Sequence, residues 1–265
     1  MTRPGQVAGL HAATPLRAAA ERLLHARLAD LRAAEARAAR RLDAKTVHDL
    51  RVACRRLRAA VKVFGKKRLR AVDERIEHLQ DCLGDLRDLQ LEAKWLERHR
   101  ASAVRLSGRL RKAEAALKTA LALWTRRSEP LLLRALPEVR KHGLLRGSRT
   151  RKRLRKRLGQ LEKAVAQPDP LEPSTAHQIR IAAKKLRYEA ELLRDAFRLE
   201  EALESLTALQ TALGELHDSD VRVEEFGSDA KLARAARAER TRRAAKARLL
   251  LHDFASTAAA LKQEL

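Results

Sequence analysis

Apolar residues recur every three to four positions over long stretches of this chain and nowhere sustain alternation, which predicts helices and no sheet. Leucines at 16, 24, 28 and 31 keep to one face of a helix over about 15–42. Asp43 and Thr46 can cap a second helix over about 45–64, which Gly65 can end. Third and fourth helices are expected over about 72–100 and 102–127. Pro130, Pro137, Gly143 and Gly147 then punctuate 128–148, which reads as a connector. A fifth helix is expected over about 149–166, and the prolines at 168, 170 and 173 force a loop after it. Ser174 or Thr175 can open a sixth helix ending near Phe197; a seventh covers about 199–226, and Gly227-Ser228 precedes a last helical region to about 262. The expectation is an all-α chain: a loose lead-in at 1–14, a four-helix repeat at 15–127, the connector, and a second four-helix repeat at 149–262.

Self-similarity supports the two sets of four. His48-Asp-Leu-Arg-Val-Ala-Cys-Arg-Arg-Leu-Arg58 recurs as His177-Gln-Ile-Arg-Ile-Ala-Ala-Lys-Lys-Leu-Arg187. Leu79-Gln-Asp-Cys-Leu-Gly-Asp-Leu-Arg-Asp88 recurs as Leu209-Gln-Thr-Ala-Leu-Gly-Glu-Leu-His-Asp218. The first helices match as well, through Leu24/Leu154, Leu28/Leu158, Leu31/Leu161 and Arg27/Arg157.

Composition adds a partner class. Lys and Arg total 58 against 34 Asp and Glu, a formal charge of +24, while 45% of residues are hydrophobic. The chain is therefore no disordered basic tail, and such a charge invites a polyanion. A solvated Arg/Ala-rich surface would give the same total, so the placement of the charge decides. Cys54 and Cys82 are too few and too scattered for a disulfide framework or a zinc site, and read as small core residues. No apolar run suggests a signal peptide or a membrane span, so the reading is soluble and cytoplasmic, with no membrane partner.

On a helix, His48, Arg51, Arg55, Arg58 and Lys62 fall within an arc of roughly 80°, with Leu50, Leu57, Val61 and Phe64 opposite. His177, Arg180, Lys184 and Arg187 repeat the stripe, and Arg56 and Lys185 flank it. Cations in register along about 20 Å repel one another, and the stripes read as having no acidic i,i+4 partners interleaved among them. A string of phosphates supplies the missing charge most simply, and arginine's planar fork suits phosphate oxygens. His48 alone would read as a first-turn capping histidine; its recurrence at His177 points instead to an anion-bound imidazole. The second motif reads as structural: Leu79, Leu83 and Leu86 have core spacing, and Gly84 and Gly214 suggest a close helix–helix approach. Eight basic residues in the twelve from Arg146 to Arg157 read as a solvated helix start, with Arg27, Lys62, Arg157 and Tyr188 as second-tier ligands.

Together the two motifs, each present twice, resemble the conserved histidine α-helical domain family, called CHAD. Its hallmark is H-x-x-R-x-x-x-R-R-L-R followed by L-Q-x-x-L-G-x-L-x-D, and the resemblance spans about 15–262. It implies two pseudo-symmetric four-helix bundles forming one domain, with a basic channel or groove between the two repeats that binds inorganic polyphosphate, and association with polyphosphate granules. The implied ligands are His48, Arg51, Arg55, Arg56 and Arg58, with His177, Arg180, Lys184, Lys185 and Arg187. Phosphate or sulfate ions are expected at the same positions. The second copy departs from the pattern: lysines 184 and 185 replace the arginine pair, Glu191 stands for Lys62, and His217 stands for Arg87. The E-x-E-x-K motif of the triphosphate-tunnel hydrolases fused to some relatives is absent. A stand-alone binding protein, not an enzyme, with no catalytic residue, cofactor or metal, is therefore expected.

Two rivals remain. Sequence-nonspecific nucleic-acid binding would use the same phosphate contacts, but Tyr188 is the lone stacking aromatic near the stripe. A metal-dependent phosphohydrolase would use His-Asp pairs such as His48-Asp49, His217-Asp218 and His252-Asp253. The arginines after Asp49 repel a cation, and its counterpart in the second copy is Gln178.

Overall fold

The computed structural model describes residues 7–65, 69–137, 139 and 142–265. The expected lead-in at 1–14 lies partly outside the described residues. The chain divides into two compact units: unit 1 holds 1–10 and 14–143, and unit 2 holds 11–13 and 144–265. The fold is all-α, and the described residues form no β-sheet.

Unit 1 contains α1 (Leu16–Arg40), α2 (Ala44–Ala60), α3 (Arg70–Arg98), α4 (Ser107–Leu123) and α5 (Glu129–Ala135). Asp43 caps α2 in a reciprocal box: its carboxylate accepts from the amides of Lys45 and Thr46, and its own amide donates to the Thr46 hydroxyl. The helix widens into a π-helical turn at Val61–Gly65. At Gly65 glycine is required, since a Cβ would lie 2.5 Å from that of Leu69.

The fourth helix was expected to stop at 127. Instead α4 runs through a π-helical turn, Trp124–Ser128, directly into α5. Pro130 occupies the first turn of α5, where its missing N–H and ring are accommodated by the wider turn before it. Proline here re-registers the helix rather than ending it. Counted that way, unit 1 has four helices in sequence, and Glu129 of α5 accepts from Arg32 of α1 while Thr125 donates to Glu35. Leu24, Leu28, Leu31, Leu50, Leu57, Leu83 and Leu86 are all within 1% of full burial and form the core of this unit.

Unit 2 contains α6 (Ser148–Val165), α7 (Pro173–Leu193), α8 (Glu200–Glu225) and α9 (Ala230–Glu264). Each packs on the next, and α6 also meets α9. Ser174 or Thr175 was expected to open α7, but the cap is Glu172, whose side chain accepts from the Thr175 amide. Pro173 then sits at the first helical position, where a missing N–H leaves nothing unsatisfied. Hydrogen bonds from Ser174 and Thr175 hold the Glu172 carboxyl at about 2. Asp229 caps α9 in the same way as Asp43 caps α2, through the amides of Lys231 and Leu232.

The two cysteines are free and buried, as their Ala-like spacing suggested. Burial pushes the Cys54 thiol up to about 12.

Candidate functional site

In unit 1 the Asp43 cap fixes where α2 begins and so which residues share its solvent-facing stripe. His48, Arg51 and Arg55 are half-buried along it, and Lys62 is exposed at its end, 3.7 Å from Asp73. Two polar ties set the register of α2 against antiparallel α3. At one end Arg58 donates to Asp73 at 2.8 Å and Gln80 at 3.1 Å, and pairs with Glu77 at 2.5 Å. At the other, Arg87 donates to the Ala44 carbonyl at 3.1 Å. The second motif thus faces the first across the α2–α3 pair. Burial opposes the Arg58 charge, but Asp73 and Glu77 outweigh it and raise its pKa. Burial lowers the His48 pKa, and Arg87, Arg51 and Arg55 lower it further against the opposing pull of Asp49.

Unit 2 repeats the register with different chemistry. His177 and His217 bring their rings to 5.2 Å, so an imidazole stands where unit 1 has Arg87. Burial, His217, Arg180 and Lys184 together lower the His177 pKa. Lys184 is half-buried and Lys185 exposed. Arg187 donates to Gln210 at 2.7 Å, as Arg58 does to the equivalent Gln80, but its carboxylate partner is Glu191 on its own helix at 2.9 Å. Its guanidinium also lies 4.0 Å over the Tyr188 ring.

The CHAD domain family matches residues 22–227. The chain belongs to that family. A crystal structure of the CHAD domain from the plant Ricinus communis superposes with a TM-score of 0.68 at 25% identity, covering 95% of this chain and 96% of that one. PptA from Streptomyces chartreusis superposes at 0.58 with 15% identity, covering 92% and 99%, a likeness of fold. No curated protein matches the chain.

The CHAD motif residues therefore fall into two groups. His48, Arg51, Arg55, His177, Arg180 and Lys184 are half-buried. Arg58 and Arg187 are tied into the fold, with side chains 14% and 3% exposed. Arg187 lies beneath the surface rather than on the stripe: Gln210 accepts from its Nε and Glu191 from its Nη1, while its Nη2 is buried without a hydrogen-bond partner. Arg56 is buried, and Lys185 projects on the far flank.

The second-tier residues are also largely internal. Arg27 is buried against Asp30 at 2.9 Å. Arg157 and Arg153 converge on the buried Glu189 at 2.9 and 2.7 Å. The basic run was read as a solvated helix start, yet much of it closes unit 2. Arg146 pairs with Glu264, and Arg155 donates to the Leu265 carbonyl. Tyr188 is 6% exposed under Arg187, which removes its ring from stacking on a base.

Arg87 and His217 were matched to each other in the sequence but not placed among the site residues. Their signal was present: a basic residue recurs at one place in the second motif, on the face shared with Gln80 and Gln210, but the leucine spacing dominated. The close helix approach expected at Gly84 and Gly214 is not there. A Cβ at Gly84 would meet nothing within 4 Å, and one at Gly214 would only touch Arg180 Nε at 3.8 Å. Among the described residues, no cluster of three or more His, Cys, Asp or Glu could hold a metal ion, and no helix is long and apolar enough to cross a membrane.

Proposed function

We propose that this CHAD protein binds inorganic polyphosphate along the α2–α3 and α7–α8 grooves and carries out no reaction on it. The observation that supports the reading is the duplicated, half-buried stripe: His48, Arg51 and Arg55 in one unit, His177, Arg180 and Lys184 in the other. Neighbouring cations lower the pKa of both histidines, so the field along each stripe is net positive. A polyanion relieves it, and the histidines then become protonated donors to phosphate oxygens. Arg58 and Arg187 act as the anchors that fix the register of each stripe. Free phosphate or sulfate binds the same positions weakly, and association with polyphosphate granules follows from affinity for the polymer.

Nucleic acid offers the same phosphates, but Tyr188 is covered by Arg187 and offers no base-stacking surface. Competition separates the two: long-chain polyphosphate is expected to displace labelled single-stranded RNA at low excess near 0.15 M salt, and RNA to fail in the reverse experiment. RNA winning at that salt overturns the proposal. The polymer recovered after prolonged incubation is expected to keep its length; shortening would establish an enzyme.

A further inference from the structure

Gly84 and Gly214 hold equivalent interior positions of α3 and α8, where glycine is among the least favourable residues. Nothing in the fold demands it. Neither has the positive φ that marks Gly9 and Gly143. A Cβ on Gly84 would enter open space, and one on Gly214 would make ordinary contact with Arg180 Nε at 3.8 Å. Gly65, where a Cβ would lie 2.5 Å from Leu69 Cβ, shows what a packing glycine looks like in this chain.

Position supplies the missing reason. Along α3, Gly84 lies one turn from Gln80 and one turn from Arg87, the residues that tie α3 to Arg58 and to Ala44 of α2. It therefore sits on the groove side between the two ties. In unit 2 the same place is occupied by Gly214, flanked by Gln210, bonded to Arg187, and by His217, against His177. Arg180, the counterpart of Arg51, lies over it. Both glycines are half-buried, and nothing lies within 4 Å above Gly84, so its backbone faces open space rather than a sealed core.

We propose that Gly84 and Gly214 are specificity-determining residues, giving each groove a floor of bare helix backbone on which a phosphate group settles between the cations of the two walls. This rests on the polyphosphate reading. A condensed phosphate chain has no sugar or base and is slim enough to reach that floor. A nucleic-acid backbone carries its phosphates beside bulky sugars and is held at the rim. The glycine role is clearance, since its amide is already used inside the helix.

The test is the full chain carrying Gly84→Ala and Gly214→Ala, with Gly159→Ala as control. Gly159 is an exposed α6 glycine with equally open space and no place in a groove. Both variants are expected to keep their helicity and to melt at or above the wild-type temperature, because alanine is the better helix former. Affinity for long-chain polyphosphate is expected to fall about tenfold in the double variant and to stay unchanged in the control. Weak binding of single-stranded RNA should not move in either. A double variant that binds polyphosphate as tightly as wild type, or that loses RNA and polyphosphate equally, overturns the inference. Absence of polyphosphate binding by the wild-type chain overturns the functional reading beneath it.

Discussion

The two units place the same innermost arginine at the same register and neutralise it in different ways. Unit 1 answers Arg58 across the helix pair, with Asp73, Glu77 and Gln80 of α3, and leaves part of the side chain in water. Unit 2 answers Arg187 from its own helix with Glu191, caps it with Tyr188 and buries it. What duplication has retained is the glutamine tie and the position of the cation; the counter-charge has been free to change. The groove mouths diverge as well. The Arg87 guanidinium acts on His48, whereas an imidazole, His217, faces His177. Each unit keeps one histidine on its stripe, and the residue opposite it is a guanidinium in one and an imidazole in the other.

The largest expected effect tests whether the units bind alike. Replacing His48, Arg51 and Arg55 with alanine is expected to lower polyphosphate affinity about a hundredfold at low salt and to flatten its salt dependence, with helicity intact. The triple His177, Arg180 and Lys184 replacement should cost less, because lysine binds phosphate as a point charge without a fork. Equal losses would remove the asymmetry.

Next comes stability, read from denaturant unfolding. Arg187→Ala leaves Glu191 and Gln210 without their buried partner and is expected to cost about 3 kcal/mol. Arg58→Ala, whose carboxylates reach water, should cost about 1 kcal/mol. A reversed order would show that the cross-helix ties, not burial, hold the register.

Smaller again is the pH dependence. His48 and His177 are held below the ordinary value of 6.5 in the empty protein, so the unfolded chain takes up protons first on acidification. Their stabilisation is present above about pH 6.5 and is lost as pH falls below it. Bound polyphosphate reverses the sign by favouring the imidazolium, so affinity is expected to rise several-fold between about pH 8 and pH 6. His217→Arg should flatten that rise and Arg87→His should steepen it, as titration calorimetry in two buffers of different ionisation heat would show. The least effect is expected from Tyr188→Phe. The Tyr188 hydroxyl is buried with no hydrogen-bond partner, so its removal should stabilise by up to about 1 kcal/mol and leave binding unchanged.

Local signals were the legible ones. Asp43 and Thr46 announced the start of α2 because a capping box is written within four residues. The stripe of His48, Arg51 and Arg55 followed from helical geometry alone. Pro130 misled because a π turn that absorbs a proline has no short-range signature, and the helix continued to Ala135. The internal roles of Arg58, Arg153 and Arg157 were hidden for another reason. Their partners, Asp73 and Glu189, lie on other helices, and pairing across helices depends on packing that periodicity does not specify. Arg187 is the exception: Glu191 stands one turn away on the same helix, and its pairing was available to read.

The clasp between α6 and the end of α9 has a kinetic side. Arg155 reaches the Leu265 carbonyl across 110 residues of sequence, and Arg146 reaches Glu264. During synthesis α6 emerges carrying its row of arginines long before those acceptors exist. Closing so wide a loop is entropically unfavourable and slow relative to pairing α7 with α8. Unit 2 is thus expected to close late, once residues 264 and 265 can reach α6, after the nearer pairing of α7 with α8 has formed.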